Sequence, residues 1–198
     1  VGLPDLWLMG WLDSPFGKRK SAMKLFGPAG TRQLAEGLQL AFAWDIEHRA
    51  VDQKLPLDGS KFQVKEIEEG VVYDEGGVKV TAFLVDRGEH LTPAFGYRID
   101  FDGRSVAISG DTRKSENLIR NAKGVDLLIH SVAMIKEELL AGSEWYRDIL
   151  AHHTQPREVG DVLTATKPKM AALIHFVLLG DQNIAPPTLD DVSKGIRE

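Results

Sequence analysis

The feature that most constrains this chain is a change of rhythm near residue 110. Upstream, the stretches 71–73, 78–85, 95–101 and 105–109 alternate apolar with polar residues or run apolar. Turn residues separate several of them, at Glu75-Gly76-Gly77 and at Asp102-Gly103. Glycine-bearing pairs of this kind supply the positive φ angles of tight hairpins, so neighbouring strands must lie side by side as a β-meander. Downstream, helix and strand signals take turns. A short helix is expected over 115–123, with Ser115 as cap and Gly124 as stop. A buried strand follows at 125–130, then mostly helix over 134–150. A helix over 156–166 carries Pro156 in its first turn; a buried strand at 170–176 and a last helix over 188–196 complete the pattern.

The first seventy residues are simpler. VGLPDLWLMGWLDS is strongly apolar, and Trp7 and Trp11 stand four apart, which predicts a buried helix. Residues 23–26 read as a strand stopped by Gly27-Pro28, residues 31–44 as an amphipathic helix capped by Thr31, and residues 62–67 as a strand. Residues 52–60 read as a polar loop and not as a domain linker, so one domain over 1–198 is expected. A β-rich middle followed by alternating elements predicts an α/β fold, layered around one sheet or a pair of sheets.

Composition narrows the function. With 198 residues, 43% hydrophobic and 27% charged, the chain can bury a core, and a disordered, collagen-like or coiled-coil chain is excluded. No apolar run approaches the roughly 20 residues of a membrane helix. A net charge of −5 argues against a general nucleic-acid binder while leaving a local basic groove open. There is no cysteine, which excludes disulfides, thiolate metal sites and cysteine nucleophiles. The compartment stays open, with the cytoplasm ahead of periplasm or secretion. Any metal must rest on Asp, Glu or the six histidines: His48, His90, His130, His152, His153 and His175.

Three successive strands run into a chemically capable residue: 105–109 into Gly110-Asp111, 125–129 into His130, and 171–174 into His175. Strand ends are where ligand groups converge in layered α/β proteins. A set of turn residues and hydrogen-bonded core histidines would give the same pattern, and at this point neither reading prevails. Asp111 follows Ser-Gly, which leaves room for a close approach to a metal, although turn aspartates are common. His152-His153-Thr154-Gln155-Pro156 precedes a helix and exposes a histidine to a cleft, as a general acid or an anion binder; on spacing alone a plain surface loop with two histidines is the commoner explanation. His48, in Asp45-Ile46-Glu47-His48-Arg49-Ala50, reads as a solvated surface residue, and Trp7, Trp11 and Phe26 read as core more than as pocket.

VAISGDTRKSENL around Asp111, VDLLIHSVA around His130, HHTQPREVG around His153 and ALIHF around His175 resemble, in order, the motifs of the metallo-β-lactamase superfamily. PAFGYRIDFDGRSVAISGDTR and GLPDLWLMGWL are similar to its ribonuclease Z-like and arylsulfatase-like branch. The resemblance spans essentially the whole chain. It implies an αββα sandwich with a dinuclear zinc site, manganese or another divalent ion being an alternative. It implies Asp111 as the bridging carboxylate, His175 as a ligand of one ion and His90 of the other, and His153 as a non-ligand histidine that meets the scissile group or protonates the leaving group. His130, Thr112 and His152 would stand beside the ligands without touching metal. The implied reaction is hydrolysis of an ester, lactone, β-lactam, sulfate ester or phosphodiester by a hydroxide activated on metal. A dimer is implied as well.

Three departures accompany the resemblance. The family's His-x-His-x-Asp-His motif would stand just before Val1, and relatives continue beyond Leu179-Gly180-Asp181, so the domain reads as truncated at both ends. Without that motif each ion keeps about two protein ligands, fewer than the about three of a typical catalytic zinc, and weak metal binding is expected. Many arylsulfatase-like relatives have Val-Asp-His-Gly where this chain has Val85-Asp86-Arg87-Gly88. Arg87 cannot ligate metal; either His90 takes over or that ligand is lost, and the spacing to Phe95 favours His90. Relatives often carry His-Glu at His130-Ser131, where the Glu would orient the catalytic histidine. True tRNA-processing relatives insert a long arm between the third metal histidine and the bridging aspartate, but His90 and Asp111 are only 21 positions apart. A small-molecule substrate is therefore expected in place of tRNA. The alternative function is a catalytically degenerate module of the same fold, kept for binding or assembly.

Overall fold

The computed structural model describes residues 2–12, 15 and 17–198, and the chain divides into two compact units, Val1–Glu68 and Glu69–Glu198. In the first unit, helix α1 (Leu3–Trp11) buries Trp7 and Trp11 completely. Both indole N–H groups are satisfied: Trp7 donates to the Ser60 carbonyl at 2.9 Å and Trp11 to that of Pro56 at 2.8 Å. Trp7 also stacks on Phe62, with ring centroids 4.6 Å apart. Strands β1 (Met23–Gly27) and β2 (Phe62–Glu66) pair in parallel. The crossover between them is α2 (Thr31–Ala41), α3 (Ala43–Asp52) and a 3-10 turn, Leu57–Ser60. The single helix expected over 31–44 is thus two, broken at Phe42, and part of the loop expected over 52–60 is helical. The cap also differs from expectation. Gly30 holds that position with φ 92°, and the Glu66 carboxylate accepts the N–H groups of Gly30 and Arg32 at 2.9 and 3.1 Å. The Thr31 hydroxyl donates to the Pro28 carbonyl.

The second unit is a six-stranded sheet in the order β3 (Gly70–Glu75), β4 (Val78–Val85), β5 (Ala94–Phe101), β6 (Arg104–Ile108), β7 (Leu127–Ile135) and β8 (Met170–Leu179). The first four form the expected antiparallel meander, and β6, β7 and β8 are parallel. Both two-residue turns have positive φ at both central positions: 61° and 79° at Gly76 and Gly77, 46° and 70° at Asp102 and Gly103. Helix α4 (Glu116–Asn121) links β6 to β7, and the Ser115 hydroxyl caps it by accepting the Leu118 N–H. Helices α5 (Glu137–Gly142), α6 (Glu144–Leu150) and α7 (Pro156–Thr166) link β7 to β8, and α8 (Leu189–Arg197) follows.

Two expected boundaries are corrected. Strand β7 runs on to Ile135, so 134–150 is strand end plus two short helices, and β8 runs on to Leu179. For β7 the reason lies in burial. Val132 packs with Val159 and Val192 of α7 and α8, while Ala133 and Ile135 pack with Leu139 and Leu150 of α5 and α6. A parallel strand covered on both faces shows no apolar–polar alternation, and its end is hard to tell from a helix start. Another cluster, Phe83, Ala107, Leu118, Leu128 and Val162 among its members, joins α4 and α7 to the sheet. Among the described residues no helix is long and apolar enough to cross a membrane.

Candidate metal centre

The loops after β6, α6 and within β8 meet at Asp111. After Ile108 the chain turns at Gly110, with φ 63° and room for a Cβ only 2.8 Å from the Phe95 carbonyl oxygen, so glycine is needed there. The turn is braced from β7: the Ser131 hydroxyl donates to the Gly110 carbonyl at 2.9 Å, and the Ser131 N–H donates to the Ser109 hydroxyl at 3.1 Å. Ser131, set against the family's glutamate, therefore holds the aspartate loop and does not orient His153. The Asp111 side chain is only 17% exposed, with Oδ1 3.5 Å from His175 Nδ1.

His175 reaches it through a bulge. Ile174 pairs with Ser131 and Phe176 with Val132, leaving His175 as an extra residue in β8 with φ 47°. A histidine in the left-handed region is strained, and bulges re-aim side chains out of the strand's alternation. The expectation that a strand ends at His175 is corrected here, and so is that for His130. His130 lies inside β7, fully buried, with Nδ1 donating to the Ser131 carbonyl at 2.6 Å. Burial pushes its pKa down, which favours the neutral ring, and it is no metal ligand in this arrangement.

His153 comes from the turn after α6. Its Nδ1 lies 2.8 Å from the Ile149 carbonyl, which can only accept, so Nδ1 is the donor and Nε2 is left for another partner. That Nε2 is buried and has no hydrogen-bond partner. The ring lies nearly parallel to that of His175, with centroids 5.8 Å apart. Ligand-capable atoms of Asp111, His153 and His175 lie within 4.8 Å of one another. Two imidazoles and a carboxylate oxygen, one nitrogen orphaned towards the group, suit a divalent ion of zinc's type.

His90 is not in this trio. It is exposed and lines a cavity of about 360 Å³ with Arg87, Pro93, Phe95 and Asp111. His152 turns away, its Nδ1 donating to the Arg87 carbonyl at 2.8 Å. Thr112 is fully buried and ties loops together: its hydroxyl donates to the Asp86 carbonyl at 2.9 Å, and its own carbonyl accepts from the Thr154 hydroxyl at 2.6 Å. Thr154 and Ser109 escaped sequence reading, because hydroxyl braces carry no spacing signal. Arg87 was visible as a departure, but not its contact: Nη2 sits 2.8 Å from Asp111 Oδ2.

A family model described as a β-lactamase superfamily domain matches residues 14–176. The chain belongs to the metallo-β-lactamase superfamily. Among curated proteins, ribonuclease Z of Mycolicibacterium gilvum is 28% identical over 177 residues, covering 88% of this chain and 60% of the relative. Ribonuclease Z of Mycobacterium bovis is likewise 28% identical, covering 88% and 62%. The chain thus spans about three fifths of the length of these relatives. Among solved structures, the human short form of tRNase Z superposes with a TM-score of 0.55 at 19% identity, covering 89% of this chain and 67% of that one. A diphosphatase of the PhnP family gives 0.57 at 17%, covering 89% and 55%. The α/β fold and the ribonuclease Z-like resemblance are borne out. The superfamily fold implies a divalent-metal site, and the trio at Asp111 fits one.

Proposed function

We propose that the intact protein is a metal-dependent hydrolase of the metallo-β-lactamase superfamily, that its metal is zinc, two ions per site, and that its substrates are phosphodiesters of small size. The observation that carries this reading is the convergence of Asp111 and His175, two ligand-capable side chains, with the partnerless Nε2 of His153 beside them. A divalent ion bound here would make water nucleophilic at neutral pH and offset negative charge on the attacked group. Asp111 and His175 would hold one ion, and His90, which lines a cavity with Asp111, would serve the second. His153, with Nδ1–H fixed on the Ile149 carbonyl, would accept a proton at Nε2 and return it to the leaving group. The phosphodiester class is favoured over ester, lactone, β-lactam and sulfate ester by relatives named ribonuclease Z. Between β4 and Asp111 the chain spends its length on one loop, β5, a two-residue turn and β6, with no arm for tRNA.

The test is elemental analysis of the full-length protein, then hydrolysis of bis(p-nitrophenyl) phosphate with and without chelator. Bound zinc and chelator-sensitive hydrolysis are expected. A second reading, a degenerate module kept for binding or assembly, is favoured by the ion pair of Arg87 on Asp111. Full-length protein without metal and without hydrolysis would establish that reading in place of the first.

A further inference from the structure

We propose that Arg87 is a built-in cation that competes with a divalent ion for Asp111 Oδ2, so that filling this side of the centre requires the guanidinium to swing away. The inference rests on the metal reading above and goes beyond it. Arg87 Nη2 lies 2.8 Å from Oδ2, while Oδ1 faces His175 at 3.5 Å. The two carboxylate oxygens are thus divided: one faces His175, the other is taken by a permanent positive charge. An ion shared across both oxygens would stand beside the guanidinium, and like charges in contact on one carboxylate repel.

The backbone leaves Arg87 no retreat. The Asp86 carbonyl accepts from the Thr112 hydroxyl and, at 2.7 Å, from the Arg113 N–H. The Arg87 carbonyl accepts from His152. Gly88 follows with φ 100°, and a Cβ there would meet the His152 ring at 2.5 Å. The Cα of Arg87 is therefore pinned next to Asp111, and only its side chain can move. It has somewhere to go. Its side chain is 36% exposed and lines the cavity shared with His90 and Phe95. Its Nε is buried without a partner, so the present position leaves one donor unused and is not the guanidinium's best hydrogen-bonded state.

The test is zinc titration of metal-stripped full-length protein by calorimetry, in wild type and in Arg87→Gln, Arg87→Met and Arg87→Lys. Gln and Met remove the charge, and Met keeps an unbranched apolar stem; Lys keeps the charge. The weakest zinc step is expected to tighten about tenfold in the Gln and Met variants, the scale of one charged hydrogen bond in a partly exposed site, and to stay near wild type in Lys. Zinc bound by Gln and Met variants when wild type binds none would support the competition equally. Unchanged or weaker zinc binding in both uncharged variants, with wild type binding zinc, would overturn the role of Arg87 and leave the metal reading standing. Zinc bound by no variant at all would overturn both.

Discussion

His175 is placed by a backbone that its residue type disfavours, and this makes a sharp prediction. At φ 47° an L side chain costs about 1–2 kcal/mol relative to glycine. Glycine loses about 0.5–1 kcal/mol more backbone entropy on folding than alanine. His175→Gly and His175→Ala both delete the same half-exposed imidazole, so their difference isolates the backbone. In a regular strand the alanine variant would be the more stable by about 0.5–1 kcal/mol. At this bulge the order should reverse, with His175→Gly the more stable by about 0.5–1 kcal/mol, or about 1–4 °C in Tm for a chain of this size. Urea unfolding of metal-free protein is the assay, because bound metal would add its own stabilisation. Both variants should also lose zinc affinity, so His175→Gly should gain stability over His175→Ala with no gain in binding. An alanine variant as stable as the glycine variant, or more so, would refute the reasoning that strain at residue 175 is what aims the ring at Asp111.

Asp111→Ala should abolish metal-dependent hydrolysis in the intact protein while circular dichroism stays that of the wild type; full activity would remove Asp111 from the centre. His153→Ala should lower turnover with zinc content near the wild-type value, since its Nε2 is assigned to proton transfer. Loss of bound zinc in that variant would instead make His153 the third ligand, which its closeness to Asp111 and His175 also allows. Asp126 is held at about 2, below its usual 3.8, first by the Lys169 ammonium and then by the Ser105 N–H. A depressed carboxylate stabilises the fold above its unfolded pKa and loses that contribution as pH falls through the folded one. Acid unfolding between about pH 4 and pH 2 should therefore be shallower in Asp126→Asn, and an identical acid limb would show that the contact contributes nothing.

The parts of the fold that repeat a pattern were legible. Glycine pairs announced the meander, Ser115 and Pro156 announced helix starts, and Trp7 and Trp11 announced a buried helix. The end of β7 was not, because a strand covered on both faces has no period to lose; β8, a half-exposed edge strand, simply follows β7 as its parallel partner to Leu179. At the site, sequence reading supplied Asp111, His153 and His175, each carried by a motif. It missed the bulge at His175, since an extra residue in a parallel pair shows only when the partner strand is known. It placed His130 at a strand end, where the structure buries it mid-strand. It marked Arg87 as a failed ligand and could not see that a side chain unable to bind metal can still occupy the metal's carboxylate.

Four side-chain-to-backbone bonds explain why the trio holds its geometry on loops. Thr154 binds the Thr112 carbonyl, Thr112 binds Asp86, His152 binds Arg87, and Ser131 binds Gly110. The first three join loops that carry functional residues, and the fourth ties the Asp111 turn to strand β7. Asp111 sits between the Ser131 and Thr112 contacts, and His153 between His152 and Thr154. A shift in the loop before β5 must therefore be transmitted to both, which links the position of Arg87 to that of the imidazoles. Competition between Arg87 and a divalent ion is then more than an exchange of charges on one oxygen. The loop that presents the guanidinium is hydrogen-bonded to the turn that presents His153, so charge removal at Arg87 and repositioning of its backbone are separable perturbations: Arg87→Gln changes the first alone, and a substitution at Gly88, where a Cβ would strike the His152 ring, changes the second.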